Sequence, residues 1–165
     1  MTFQKKILIC ILLLFYSVET DCISVAIHPT YLDEVVIVSE NFEETIKTTL
    51  KENCVSDELI MIILAQAKFE SGNFTSDIFW ENNNPYGMKC PKKRKTLCLG
   101  TNRGHGVFNS VKEATIDYIY YMEALNIPFE EKDVRKYVYL LKRKNYFEAD
   151  VRHYYRGVKY YYENS

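Results

Sequence analysis

The chain has 165 residues, room for one compact domain with a real core and not comfortably for two. Hydrophobic residues make up 47% and charged residues 26%, the ordinary balance of a globular domain. A formal net charge of -1 gives no whole-chain case for a nucleic-acid partner. Aromatic content is high, with 14 Tyr and 9 Phe against one Trp; tyrosine suits both a half-wet core and a sugar-binding groove, so this alone decides little.

In chain order, Lys5 and Lys6 precede an apolar run over 7–16 and a more polar stretch over 17–21. This is the pattern of a secretory signal peptide, and the run falls short of the ~20 residues that span a bilayer. Residues 1–21 therefore read as a signal peptide or an uncleaved signal anchor, and 22–165 as a single exported domain, periplasmic or extracellular. Any membrane contact would come through that N-terminal segment alone. Setting aside Cys10 leaves Cys22, Cys54, Cys90 and Cys98, an even count that allows three disulfide connectivities. Cys90 and Cys98 bracket a short basic loop and could close it; free buried thiols are the alternative. No C-x-x-C pair or matching His pair points to a metal.

The stretch 23–38 is apolar and ambiguous between strand and helix. A helix is expected over 39–52, with Phe42, Ile46 and Leu50 four apart on one face. A second should begin after Ser56, with Asp57 and Glu58 in its first turn and Leu59, Ile62, Ile63 and Ala67 as a buried stripe. It is almost wholly apolar until Lys68, which predicts a central place in the core. From 72 to 110 the periodicity breaks; five of the six glycines fall there, predicting turns and a short hairpin. Helix resumes at Ser110, whose spacing from Glu113 is that of a capping box, and Val111, Ala114, Tyr118, Met122 and Leu125 form its apolar face. After Pro128, Val134, Tyr137, Val138 and Leu141 mark another helix, and Val151, Tyr154, Tyr155, Val158 and Tyr162 the last. The expected fold is mainly α (α+β), helical with one small β excursion.

Charge is uneven. Between Asn82 and Lys112 there are seven basic residues and no acidic ones, including the run Lys92, Lys93, Arg94 and Lys95. That run invites a nucleic-acid reading, but it is short, lies between two cysteines and follows an export signal. A solvated loop, inert or touching anionic wall polymer, fits better.

The chemistry-bearing candidate is Glu70, at the end of the apolar helix and flanked by Phe69 and Phe74. Hydrophobic walls disfavour the charged form and raise a carboxyl pKa, as a general acid at neutral pH requires. Taken alone this is weak, because most glutamates at helix ends are solvated. The context adds weight. Ala65-Gln66-Ala67-Lys68-Phe69-Glu70-Ser71-Gly72 is followed ten residues later by Asn82-Asn83-Asn84-Pro85-Tyr86-Gly87-Met88-Lys89. Val107-Phe108-Asn109-Ser110 leads into the helix carrying Tyr118, and Lys144-Asn145-Tyr146 lies near the end.

In order and spacing these segments resemble the glucosaminidase family, glycoside hydrolase family 73, over roughly 59–155. The resemblance implies a lysozyme-like helical domain with a small β-hairpin lobe and a substrate groove between them. It implies hydrolysis of β-1,4 bonds after N-acetylglucosamine in peptidoglycan, with the glycan strand as partner, a monomer, and no metal or organic cofactor. Glu70 matches the family's catalytic acid. Asn83, Asn84, Tyr86 and Gly87 would shape the groove floor, with Tyr118 and Tyr146 as further groove residues. For the Asn-rich turn the competing role is structural, since Asn and Gly accept left-handed backbone and pin it with hydrogen bonds.

Two departures stand out. After Tyr146 the chain reads Phe147-Glu148-Ala149-Asp150, where the family has Ala-Thr-Asp. The family's second carboxylate, where assigned, lies in the β lobe, which here has none. A two-carboxylate scheme would need Asp150, Glu81 or Asp77; otherwise the substrate's own N-acetyl group serves as nucleophile. A lytic transglycosylase on the same fold and a non-catalytic peptidoglycan-binding module are the alternative functions.

Overall fold

The computed structural model describes residues 42–165. The expected export segment 1–21, Cys22, the apolar stretch 23–38 and the first residues of the helix expected over 39–52 lie outside the described residues. Among the described residues there are six helices and one two-stranded hairpin, the mainly helical architecture anticipated from periodicity.

Helix α1 covers 42–52 and buries Ile46 and Leu50 completely. Helix α2, Asp57–Ser71, starts where Ser56 accepts a hydrogen bond from the Leu59 amide, with Asp57 and Glu58 in the first turn. From Leu59 to Lys68 only Met61 escapes full burial, so α2 is the central rod of the core. A helix apolar on every side has to be enclosed, and each fully buried aliphatic chain contributes about 1.5–3 kcal/mol. Lys68 is paired with Glu43 of α1 at 2.8 Å.

The end of α2 is unusual. Gly72, Asn73 and Phe74 all have positive φ, at 61°, 58° and 63°. For a bulky residue such as Phe74 that geometry is costly and needs its surroundings to enforce it. Ser71 does so: its buried hydroxyl donates to the Ala67 carbonyl at 2.6 Å and accepts from the Phe74 amide at 2.9 Å. The turn thus stops α2 one residue beyond Glu70 and reverses the chain.

A short helix, α3, Asp77–Asn82, follows, capped by Ser76. It was not expected from the broken periodicity of this region. Strands β1, Gly100–Asn102, and β2, His105–Val107, pair antiparallel with Asn102 opposite His105. Arg103 and Gly104 both have positive φ, the two-residue turn that matches strand twist. Helix α4, Val111–Ala124, is capped by Ser110 through the Glu113 amide. The capping box differs in detail: the Glu113 carboxylate reaches back to Asn109 rather than to Ser110.

Helices α5, Val134–Arg143, and α6, Val151–Glu163, complete the domain, with Asp133 and Asp150 as their N-caps. α6 lies along α2, and α5 along α6. Close approach of α6 to α2 depends on Gly157, where a Cβ would lie only 2.1 Å from the Phe69 ring. None of the helices among the described residues is long and apolar enough to cross a membrane.

Candidate active site

Glu70 sits in the last turn of α2, partly buried, where α6 and the 84–88 turn meet it. Burial pushes its pKa from the ordinary 4.5 up to about 7; a hydrogen bond from Tyr154 opposes that rise without cancelling it. The Tyr154 hydroxyl donates to Glu70 Oε1 at 2.5 Å. Tyr154 is itself held by a flat stack on Phe147, 3.7 Å between centroids, and by an edge contact with Phe69. The second oxygen, Oε2, faces Gly87, where an added Cβ would stand 3.4 Å away. With Oε1 engaged as an acceptor, the acid proton belongs on Oε2, the oxygen at the turn. A proton donor with a pKa near neutrality and a fixed carboxyl plane is the arrangement general acid catalysis asks for.

The turn that carries Gly87 is built by the three asparagines. Asn82, fully buried, donates to the Asn102 carbonyl and accepts from the Asn102 amide group, tying α3 to the hairpin. Asn83, at φ 50°, donates to the carbonyls of Phe108 and Asn109. Asn84 donates to Met88 and Gly106 carbonyls, both at 2.9 Å, and accepts from the amides of Tyr86 and Met88. Gly87 has φ 62°, and its carbonyl meets His105 Nδ1 at 3.1 Å. The hairpin therefore sets the position of Gly87 against Glu70.

The groove candidates differ in burial. Asn84 is 2% exposed and all its hydrogen-bonding positions are engaged within the protein, so it shapes the turn. Tyr86, 1% exposed, bonds Thr115 and stacks on Tyr118 with centroids 4.4 Å apart. Tyr118 is fully enclosed and bonds Gln66 and Tyr137. Both tyrosines belong to the core because a packed ring leaves no face for a ligand. Asn83, Gly87 and Tyr146 remain only partly buried. Tyr146 donates its hydroxyl to the Tyr86 carbonyl, so its ring, rather than its hydroxyl, is what a groove can use.

Of the three candidate second carboxylates, two are engaged elsewhere and one is exposed. Asp150 is exposed and caps α6, accepting from the amides of Arg152 and His153, which hold it below the usual carboxylate range. Glu81 pairs with Arg103 at 3.2 Å and accepts from Asn102. Asp77 is exposed in the first turn of α3.

Cys90 and Cys98 form a disulfide, Cα atoms 5.6 Å apart, and Cys54 is unpaired among the described residues. Within the closed loop, Arg94 is not solvated. It pairs at 2.7 Å with Asp117 of α4, whose side chain is wholly buried and also accepts from the Leu97 amide at 2.8 Å. Asp117 does not stand out in the sequence, and Tyr154 reads there only as part of the stripe that marks the last helix. Beside the loop runs a groove of about 720 Å³, walled by 87–94, by the end of α4 and by the loop joining α5 to α6. Gly87 and Tyr146 line it, and Gly87 also borders Glu70 Oε2. Among the described residues no group of three His, Cys, Asp or Glu side chains converges as a metal site.

The family profile described as "Glucosaminidase: Mannosyl-glycoprotein endo-beta-N-acetylglucosaminidase" matches residues 50–164, well over half the chain. The chain belongs to the glucosaminidase family. This glucosaminidase domain is also 41% identical over 58 residues to "Protein bax" of Escherichia coli strain K12, a match spanning 35% of this chain and 21% of that protein. Its fold is shared with a solved "type VI secretion system effector-immunity complex from Pseudomonas protegens", at a TM-score of 0.58 and 18% identity, covering 76% of this chain and 92% of that one.

Proposed function

We propose that this glucosaminidase domain is an endo-β-N-acetylglucosaminidase that cleaves peptidoglycan glycan strands with Glu70 as general acid. The observation that carries the reading is the Glu70 carboxyl, its pKa raised to about 7, fixed between Tyr154 and Gly87, the latter a residue that also lines the groove. Family membership supplies the substrate class. Near neutral pH, Glu70 Oε2 donates its proton to the glycosidic oxygen as the C1–O bond breaks. No acidic residue lies between Asn82 and Lys112; Asp150 is engaged in a helix cap, Glu81 in an ion pair, and Asp77 is exposed in the first turn of α3. This favours capture of C1 by the carbonyl oxygen of the sugar's own N-acetyl group. Water then opens that ring, giving its proton back to the Glu70 carboxylate.

The same single acid would serve a lytic transglycosylase, in which the sugar's own hydroxyl attacks C1. The products decide. Mass spectrometry of fragments ending in reducing N-acetylglucosamine supports the proposal, whereas anhydro ends would replace it with the transglycosylase. Folded protein releasing nothing would leave a peptidoglycan-binding module. Asp150→Asn, Glu81→Gln and Asp77→Asn should each retain most activity; a loss in one equal to that of Glu70→Gln would identify a second carboxylate and refute substrate assistance.

A disulfide in the groove loop fits an oxidising compartment, and the basic and apolar start of the chain fits an export segment over 1–21 ahead of a domain over 22–165.

A further inference from the structure

We propose that the groove beside Glu70 receives the carboxylates of the peptide stems carried by the glycan strand, held by Lys89, Lys92, Lys93 and Lys144. The inference rests on the glucosaminidase reading and names which part of the substrate the groove takes. All four lysines line the groove and are exposed, on opposite walls. Among the described residues none of them has a carboxylate within 4.0 Å, whereas the lining Arg94 is neutralised by Asp117. One acidic residue, Glu148, faces the four. The groove is therefore strongly positive in a chain whose net charge is -1, a concentration of one sign that draws anions into a cleft.

The occupant is tied to the cleaved strand by continuity. Gly87 borders Glu70 Oε2 and also lines the groove, and Tyr146, on the other wall, lies close enough for the Glu70 charge to act on its hydroxyl. A strand cut at Glu70 thus continues into the lysine-lined space. N-acetylglucosamine carries no charge, but the peptide stems on the alternate sugars carry free carboxylates. A volume of about 720 Å³ lies in the range that encloses a ligand larger than one sugar. The wall bearing Lys89, Lys92 and Lys93 is fixed before substrate arrives, by the Cys90–Cys98 disulfide and by the Arg94 and Leu97 bonds to Asp117. Across from it, the ring of Tyr121 forms part of the wall, and its hydroxyl, shielded from solvent, has no protein partner among the described residues.

The test compares wild type with Lys89→Gln/Lys144→Gln on three soluble strands: intact, stripped of stems by an amidase, and intact but freed of phosphate-bearing wall polymer by acid. On intact strands the double variant should show a KM raised about tenfold with kcat little changed, since uniform binding is lost. On stripped strands wild type and variant should converge at the higher KM. Raising salt should weaken wild type on intact strands towards the variant. Equal KM for the two proteins on intact strands, or a variant defect that persists undiminished on stripped strands, would overturn the proposal. So would a defect that disappears only when the phosphate polymer is removed, which would assign the lysines to that polymer. Failure of wild type to cleave any of the three strands is a separate outcome and would overturn the glucosaminidase reading beneath it.

Discussion

Above neutral pH, wild-type Glu70 carries a charge in a place that disfavours charge, and Glu70→Gln removes it with almost no change of shape. Its pKa is about 7 in the folded protein against an ordinary 4.5. A tenfold change in proton affinity corresponds to about 1.4 kcal/mol, so the ionised group costs the fold about 3 kcal/mol as an upper bound. The sign follows from proton counting. As pH rises past 4.5 the unfolded chain loses this proton first, while the folded chain keeps it until about 7. Stability is thus lost between those values and is level beyond them. The glutamine variant has no such loss. Near pH 4 the two proteins should unfold at the same urea concentration; near pH 8.5 the variant should be more stable by about 3 kcal/mol, or about 1–3 M urea at the midpoint. Circular dichroism during urea titration at both pH values reads this directly, and other titrating groups cancel in the comparison. Hydrolysis should be lost in the variant at every pH. Equal midpoints at the higher pH would mean an ordinary, solvated carboxylate, and the electrostatic argument for Glu70 would fail.

Other perturbations test neighbouring parts of the site. The Tyr154 bond lowers the Glu70 pKa, so Tyr154→Phe should move the alkaline limb of the pH–rate profile upward, at a stability cost of about 1 kcal/mol; an unmoved limb would remove Tyr154 from the site. Gly157→Ala places a methyl group against the Phe69 ring and should destabilise the protein by about 1–3 kcal/mol in thermal melts, with partial rescue by Phe69→Leu. Asp117→Ala strands the Arg94 guanidinium, which is only 14% exposed, and should cost about 3–5 kcal/mol in chemical denaturation; a loss below about 1 kcal/mol would show that the pair does not anchor the loop.

What the sequence made legible was local or rigidly spaced. Ser56 and Ser110 announce their helices because a cap and its amide lie three residues apart. The continuous apolar run of α2 has one physical solution, a central position. Cys90 and Cys98 are eight residues apart, and their pairing closes the loop between them. The six residues of α3 are too few to show a period. Tyr118 is legible as part of the apolar face of α4, but burial at Asn84 and Tyr86 is not, since turn residues look alike whether they meet solvent or the core. Only the stacking of α4 against the 84–88 turn decides it. Tyr154 lies 84 positions from Glu70 and meets it through the packing of α6 on α2, which no short-range pattern encodes. Arg94 is hidden in a basic run, because its partner is 23 positions away on another helix.

The placement of Glu70 on α2 has a consequence for how the protein breathes. Catalytic groups on loops ride on segments that open locally at small cost, and amide exchange near them is fast. Here the carboxyl is attached to the most buried helix of the core, one turn after Gln66, which is wholly buried and accepts from the Tyr118 and Tyr137 hydroxyls. Amides between Ile62 and Lys68 should exchange only when the whole domain unfolds, more slowly than those of the hairpin. The position of the Glu70 carboxyl is then as durable as the fold itself.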